Sequence, residues 1–225
     1  MTRANGRATI LASTVPRILP VLERPFRTVL DLGCGTSNTL RALALPADAI
    51  RVGLDVDRES LKAAQSGADG VRLAAADGHR LPFRSDSFDL VVSKVTLPYL
   101  NIPVALRELH RVTRAGGVVW LTLHPFAMTA MRIWGDLKSG NIRDAIYQGY
   151  AVLNGLLLGL SGRQFAFPLN RRRIESFQTV KGITRALRDA GFSDVRCELR
   201  SRGPGHEASD RRLGKVFAVS AQKRA

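Results

Sequence analysis

Cysteine is scarce. Cys34 and Cys197 are the only two in 225 residues, and they stand far apart. That excludes a disulfide framework and agrees with a reducing, cytoplasmic setting. Aromatic residues make up 6% of the chain, and they do not interleave with basic residues as a base-stacking strip would require. No apolar run approaches the roughly 18 residues that span a bilayer. Arg3 and Arg7 are not followed by a sustained apolar segment and a small-residue cleavage site, so no signal peptide is expected. Acidic residues number 19 against 34 lysines and arginines, a formal charge of +15. Asp136 and Asp144 make no recognisable ligand set, so no metal is expected. The basic residues are scattered, with one short run at Arg171 to Arg173. That pattern fits compositional bias or general steering better than a dedicated nucleic-acid face.

The chain is organised around Val29 to Leu40, V-L-D-L-G-C-G-T-S-N-T-L. Apolar residues lead through Asp31, Gly33 and Gly35 into a polar run, the order of a buried strand, a glycine turn and a helix start. Glycine lets backbone approach a ligand closely. Twenty residues past Gly35, Asp55 ends a second apolar run, where a carboxylate suits the hydroxyls of a ribose. An adenosine-containing cofactor is therefore expected. The dinucleotide pattern G-x-G-x-x-G is incomplete, since Asn38 holds the third glycine's place. Asp31 would also repel a pyrophosphate, which ranks a nicotinamide-dependent dehydrogenase last.

D-x-G-x-G followed by an acidic residue at the next strand's tip resembles the class I S-adenosylmethionine-dependent methyltransferases. A second stretch, A-A-D-G-H-R-L-P-F-R-S-D-S-F-D-L-V-V-S from Ala75 to Ser93, is similar to that family's approach to strand four. R-E-L-H-R-V-T-R-A-G-G, Arg107 to Gly117, and L-R-D-A-G-F-S-D-V, from Leu187, resemble its later helices. The resemblance implies S-adenosyl-L-methionine as cofactor. It assigns Asp31 to the methionine ammonium, and Gly33, Cys34 and Gly35 to lining the amino acid end. It assigns Asp55 to the ribose, Val56 to packing on adenine, and Asp77 with Gly78 to the adenine edge. Ser93, closing strand four, joins the cofactor set. The family carries glycine where Ser37 stands, which puts that turn in question.

The expected fold is a single α/β domain over 1–225, Rossmann-like and doubly wound. Its sheet has seven mostly parallel strands, with a lead-in at 1–27 and a helical lid inserted at 125–175. Strands are expected at Val29–Leu32, Ile50–Asp55, Val71–Ala75, Phe88–Ser93, Val118–His124, Val195–Leu199 and Val216–Ala221. Helices are expected at Asn38–Leu45, at Arg58–Gln65, from Asn101 to the Gly116-Gly117 pair, and from Ser176 or Thr179 to Gly191. In the lid, Ile142, Ile146, Tyr150, Leu153, Leu157 and Leu160 recur at helical spacing as one apolar face. A cover for the acceptor and a homodimer interface are both open readings of that face. A membrane-surface helix is disfavoured by its few cations.

Tyr99, several residues beyond strand four, and His124, at the tip of strand five, are substrate-facing candidates, with a packed core tyrosine and a structural histidine as plain alternatives. The catalytic residue stays unassigned, because methyl transfer from a sulfonium mainly requires positioning and exclusion of water. The activity expected is methylation of a small, hydrophobic acceptor. A nucleic-acid acceptor is not favoured, since Thr96-Leu97-Pro98-Tyr99 lacks the asparagine and second proline of an N-P-P-Y-like box. A non-catalytic cofactor-binding partner protein is the other alternative.

Overall fold

Seven strands form one sheet: β1 (Thr28–Leu32), β2 (Ile50–Asp55), β3 (Val71–Ala75), β4 (Phe88–Lys94), β5 (Thr113–Leu123), β6 (Phe192–Arg200) and β7 (Val216–Lys223). A computed structural model describes residues 24–67, 70–123, 126–170, 173–200 and 216–224. The strand order is β3-β2-β1-β4-β5-β7-β6, with β7 antiparallel to both neighbours and the other pairs parallel. Parallel strands are covered on both faces, so their sequences are near-continuous apolar runs. Val29, Leu30 and Leu32 of β1 and Val91 and Val92 of β4 are accordingly buried. Asp89 clamps the start of β1, accepting from the backbone N–H groups of Arg27 and Thr28 at 3.0 Å each.

Among the described residues six α-helices accompany the sheet: α1 (Asn38–Ala42), α2 (Arg58–Gln65), α3 (Ile102–Val112), α4 (Phe126–Lys138), α5 (Ile142–Ser161) and α6 (Val180–Asp189). Side chains cap three of them at or beside the expected starts. The side chains of Asp57, Asn101 and Thr179 accept from the N–H groups of Glu59, Val104 and Gly182. The order reverses between β1 and β4, and ligands in such sheets bind at the carboxyl ends beside that switch. Asp31, Asp55 and Lys94 all lie there.

Several boundaries differ from the sequence reading. α1 stops at Ala42 because Leu43 is already extended, three residues ahead of Pro46. α3 ends at Val112, and Thr113 is extended with its hydroxyl donating back to Leu109. The Gly116-Gly117 pair therefore lies inside β5. β6 begins at Phe192, and its ladder shifts between Ser193 and Arg196, with Asp194 at φ 49. That bulge hid its first residues. The apolar face expected in the lid is split between inside and outside. α5 buries Ala145, Tyr147, Gln148, Ala151, Asn154, Gly155 and Leu158, with Tyr150, while Ile142, Ile146, Leu153 and Leu160 face outward. Gly155 explains the close seating, because a Cβ there would lie 2.5 Å from the Phe177 carbonyl. Of the lead-in expected over 1–27, residues 1–23 fall outside the described residues.

Ser37 adopts φ 61 and ψ 21, the left-handed shape that glycine takes without strain. Ser37→Gly should raise stability by up to about 1 kcal/mol, after the unfolded-state entropy of glycine is allowed for. Thermal melts of the two proteins measure this, and an unchanged or lower midpoint counts against strain at Ser37.

Candidate functional site

The site forms where β1, β2 and β4 end. Asp31 sits in β1, an interior strand, with 1% of its surface exposed. Neither of its carboxylate oxygens has a hydrogen-bond partner among the described residues. Burial pushes its pKa up to about 7, with Lys94 opposing and Asp55 adding to the shift. An unpaired buried carboxylate is costly, and a cationic group beside it would relieve that cost.

The loop that follows bends tightly around the end of β2. Gly33 has φ 73 and Gly35 φ 50. The N–H groups of Gly33 and Cys34 both donate to the Leu54 carbonyl, at 2.7 and 3.0 Å. The Gly35 N–H donates to Asp55 Oδ2 at 2.8 Å, and the Asp57 N–H to Asp55 Oδ1 at 3.0 Å. These backbone donors are thus engaged within the loop and β2, which leaves shape as the loop's main offering. Each Asp55 oxygen keeps a further lone pair for a hydroxyl. Beside it Val56 is 77% exposed, an apolar side chain held out in solvent.

Asp77 is braced by His79. The Asn101 N–H donates to His79 Nε2 at 2.8 Å, which places the ring proton on Nδ1, 2.6 Å from Asp77 Oδ1. The His79 backbone N–H donates to the same oxygen at 2.9 Å. Burial alone would raise the Asp77 carboxyl, but these two donors hold it below the ordinary carboxylate value. Gly78 packs under Leu100 and Leu32, and a Cβ there would come within 2.9 Å of Leu100.

Ser93 is fully buried, and its hydroxyl donates to the Leu32 carbonyl at 3.1 Å. Its side chain clamps β4 to β1 instead of facing a ligand. Tyr99 is 45% exposed in a 3-10 turn, which excludes a packed core role. His124 lies outside the described residues.

Three features had weak sequence signals. Thr96 overlies Gly33 so closely that a Cβ on Gly33 would overlap its side chain. Val95, between Lys94 and Thr96, has φ 61, a strained shape for a β-branched residue. Thr122, paired in register with Lys94, keeps a buried hydroxyl without a partner. A charged residue closing an apolar strand was the available hint for Lys94. A cleft of about 650 Å³ lies at the opposite end of the sheet, lined by Thr28, Ile50, Arg72, Phe83 and Arg114 among others. It contains none of the predicted site residues, so the carboxylate geometry, not cavity size, marks the site. Among the described residues no group of His, Cys, Asp and Glu could hold a metal.

A family model described as a methyltransferase domain matches residues 30–121. The chain is 30% identical over 175 residues to the demethylmenaquinone methyltransferase of Roseiflexus castenholzii, covering 76% of this chain and 69% of that protein. The chain belongs to the S-adenosylmethionine-dependent methyltransferases. The family's cofactor is S-adenosylmethionine, and the D-x-G-x-G turn of Asp31 to Gly35 lies within the matched region. The malonyl-[acyl-carrier protein] O-methyltransferase of Halorhodospira halophila is 36% identical over 128 residues, 54% of this chain and 43% of that protein. The chain spans less than half the length of several curated relatives it matches. A solved S-adenosylmethionine-dependent methyltransferase from Mesorhizobium loti shares the fold, with TM-score 0.60, 22% identity, and coverage of 88% of this chain and 91% of that one. The buried carboxylate of Asp31 fits the family's cofactor, whose amino acid end carries an ammonium group.

Two outcomes follow for S-adenosylhomocysteine, the demethylated cofactor. Asp55→Ala should weaken its binding by roughly 1–3 kcal/mol, the scale of lost charge-assisted hydrogen bonds. Unchanged affinity in a folded variant would refute the ribose assignment. Binding should also weaken as pH falls through about 7, because protonated Asp31 cannot attract a cation. The linkage to folding has the opposite sign. A raised carboxyl favours the ligand-free fold at low pH, and that contribution is lost as pH rises toward 7. Titrations across this range should show the weakening in the natural protein and not in Asp31→Asn. A flat profile in both would contradict the assignment.

Proposed function

We propose that the chain transfers a methyl group from S-adenosylmethionine to a small, largely apolar acceptor seated under α4 and α5. The unpaired carboxylate of Asp31 beside the glycine turn carries this reading. When bound, the cofactor supplies a methyl carbon activated by the positive charge of its sulfonium. Asp31 holds the ammonium, Gly33, Cys34 and Gly35 shape the path of the amino acid end, and Asp55 accepts from the ribose hydroxyls. Val56 packs against adenine, while Asp77 and the Gly78 N–H read its edge. Lys94, Thr96 and Thr122 border the acceptor's approach, where alignment and exclusion of water supply most of the catalysis.

The segment after β5 supports the acceptor assignment. The Ile102 N–H at the start of α3 donates to Gln164 Oε1 at 2.6 Å, and Gln164 Nε2 donates to the Ser176 hydroxyl at 2.7 Å. The Ser176 N–H donates to the Pro98 carbonyl at 3.0 Å. These contacts fasten the segment to the turn that follows β4. Tyr147, Tyr150, Phe165 and Phe167 cluster within it. Relatives named for demethylmenaquinone and malonyl-[acyl-carrier protein] suggest a ring-bearing lipid or a carboxylate on a carrier as acceptor class. Cytoplasmic placement rests on the free thiols of Cys34 and Cys197. The charge of +15 favours a nucleic-acid acceptor as the second reading.

The test is S-adenosylhomocysteine release with three acceptor sets: reduced quinones, carboxylate-bearing acyl thioesters, and RNA or duplex DNA. Turnover with either small-molecule set supports the proposal, and turnover with nucleic acid alone overturns it. Gln164→Ala should raise the acceptor KM several-fold and leave S-adenosylhomocysteine affinity unchanged. Equal KM values would remove the segment from acceptor binding.

A further inference from the structure

The outward face of α5 has no role in the site just described. Ile142, Ile146, Leu153, Leu156 and Leu160 are between 49% and 77% exposed. With Gly149 between them, they recur at intervals of four, three, four, three and four residues. This alternation is the a and d pattern of a helix seam, narrower than the broad apolar face of a membrane-surface helix. A lipid surface also calls for flanking cations, and Arg143 is the only basic residue in α5.

The seam is self-complementary. We propose that α5 pairs antiparallel with the α5 of a second copy of this chain, about a two-fold axis midway between Gly149 and Leu153. Ile142 then meets Leu160 of the other copy, Ile146 meets Leu156, and Gly149 meets Leu153. The last pairing sets a large side chain against a notch, since a Cβ at Gly149 would meet nothing within 4 Å. A C2 interface requires such reciprocity. The direction follows from that notch: antiparallel helices set Leu153 against Gly149, whereas parallel helices would face Gly149 with Gly149 and leave the space unfilled.

Between Ala145 and Ser161 the helix carries no charged residue, so the chain's net charge does not enter the seam. The five exposed side chains offer on the order of 500 Å² per copy, and half-buried Val152 and Leu157 extend the contact toward the roughly 800 Å² per partner of stable interfaces.

Equilibrium sedimentation of the full chain tests this. The natural protein should have the mass of two copies. Leu153→Glu should halve that mass and leave S-adenosylhomocysteine affinity intact, which controls for folding. Ile146→Glu and Leu156→Lys should each be monomeric alone and associate when mixed, because the register sets residue 146 against residue 156. A natural protein that is monomeric at every concentration overturns the proposal, as does a dimer indifferent to Leu153→Glu. Failure of the mixed pair to associate overturns the antiparallel register. Dimers that appear only after removal of residues 1–23 would make that segment the occupant. Binding to anionic vesicles that Leu153→Glu abolishes without a change of mass would make lipid the occupant. Either result overturns pairing between copies.

Discussion

A carboxylate taken out of water without a partner governs this site. Asp31 lies in β1, an interior strand of the sheet, between the buried Leu30 and Leu32. Replacing it with an apolar residue would relieve the desolvation, so its presence must be compensated in a bound state. The surrounding backbone donors turn elsewhere. Gly33 and Cys34 face Leu54, and Gly35 faces Asp55. The glycine turn therefore offers Asp31 no hydrogen bond, burial raises its pKa to about 7, and Lys94 favours its charged form. Membership of a family whose cofactor carries an ammonium group supplies the missing half of that pair.

The adenine and acceptor ends share one scaffold. His79 links the Asp77 carboxylate to the N-terminus of α3 through the Asn101 N–H. One residue further on, Ile102 connects the same helix end to Gln164 and so to Ser176. The two ends use separate backbone donors on adjacent residues, Asn101 for His79 and Ile102 for Gln164. Such adjacency suits a reaction that depends on alignment, because small shifts between donor and acceptor have large effects on rate.

The sequence was most legible where burial and turn chemistry agree. β2, β3 and α2 have their expected limits because apolar runs meet clear breakers, such as Asp57 capping α2. Asp55 stood out by spacing, and Asp31 and Asp77 by the resemblance; all three lie at or beside the carboxyl ends of strands. What stayed hidden depends on three-dimensional packing. The hydroxyl of Ser93 looks free in sequence, but a carbonyl of the adjacent strand captures it. Which way the apolar face of α5 turns was not legible, because helical spacing does not say which side packs. Close approach at Gly155 and hydrogen bonding of Asn154 to Glu175 and Phe165 bury the small and polar side. His79 gave only a local D-x-H signal, whereas its role requires Asn101, distant in sequence.

The most direct test of the account is a calorimetric comparison of S-adenosylhomocysteine with its analogue lacking the amino group, at a pH where Asp31 is ionised. The two ligands share adenine, ribose, thioether and carboxylate, so their difference isolates the ammonium. Recognition by Asp31 predicts at least tenfold tighter binding of the amine-bearing ligand, about 1.4 kcal/mol or more. Equal affinities would contradict it, and would leave the buried carboxylate of Asp31 without the partner on which this reading of the site depends.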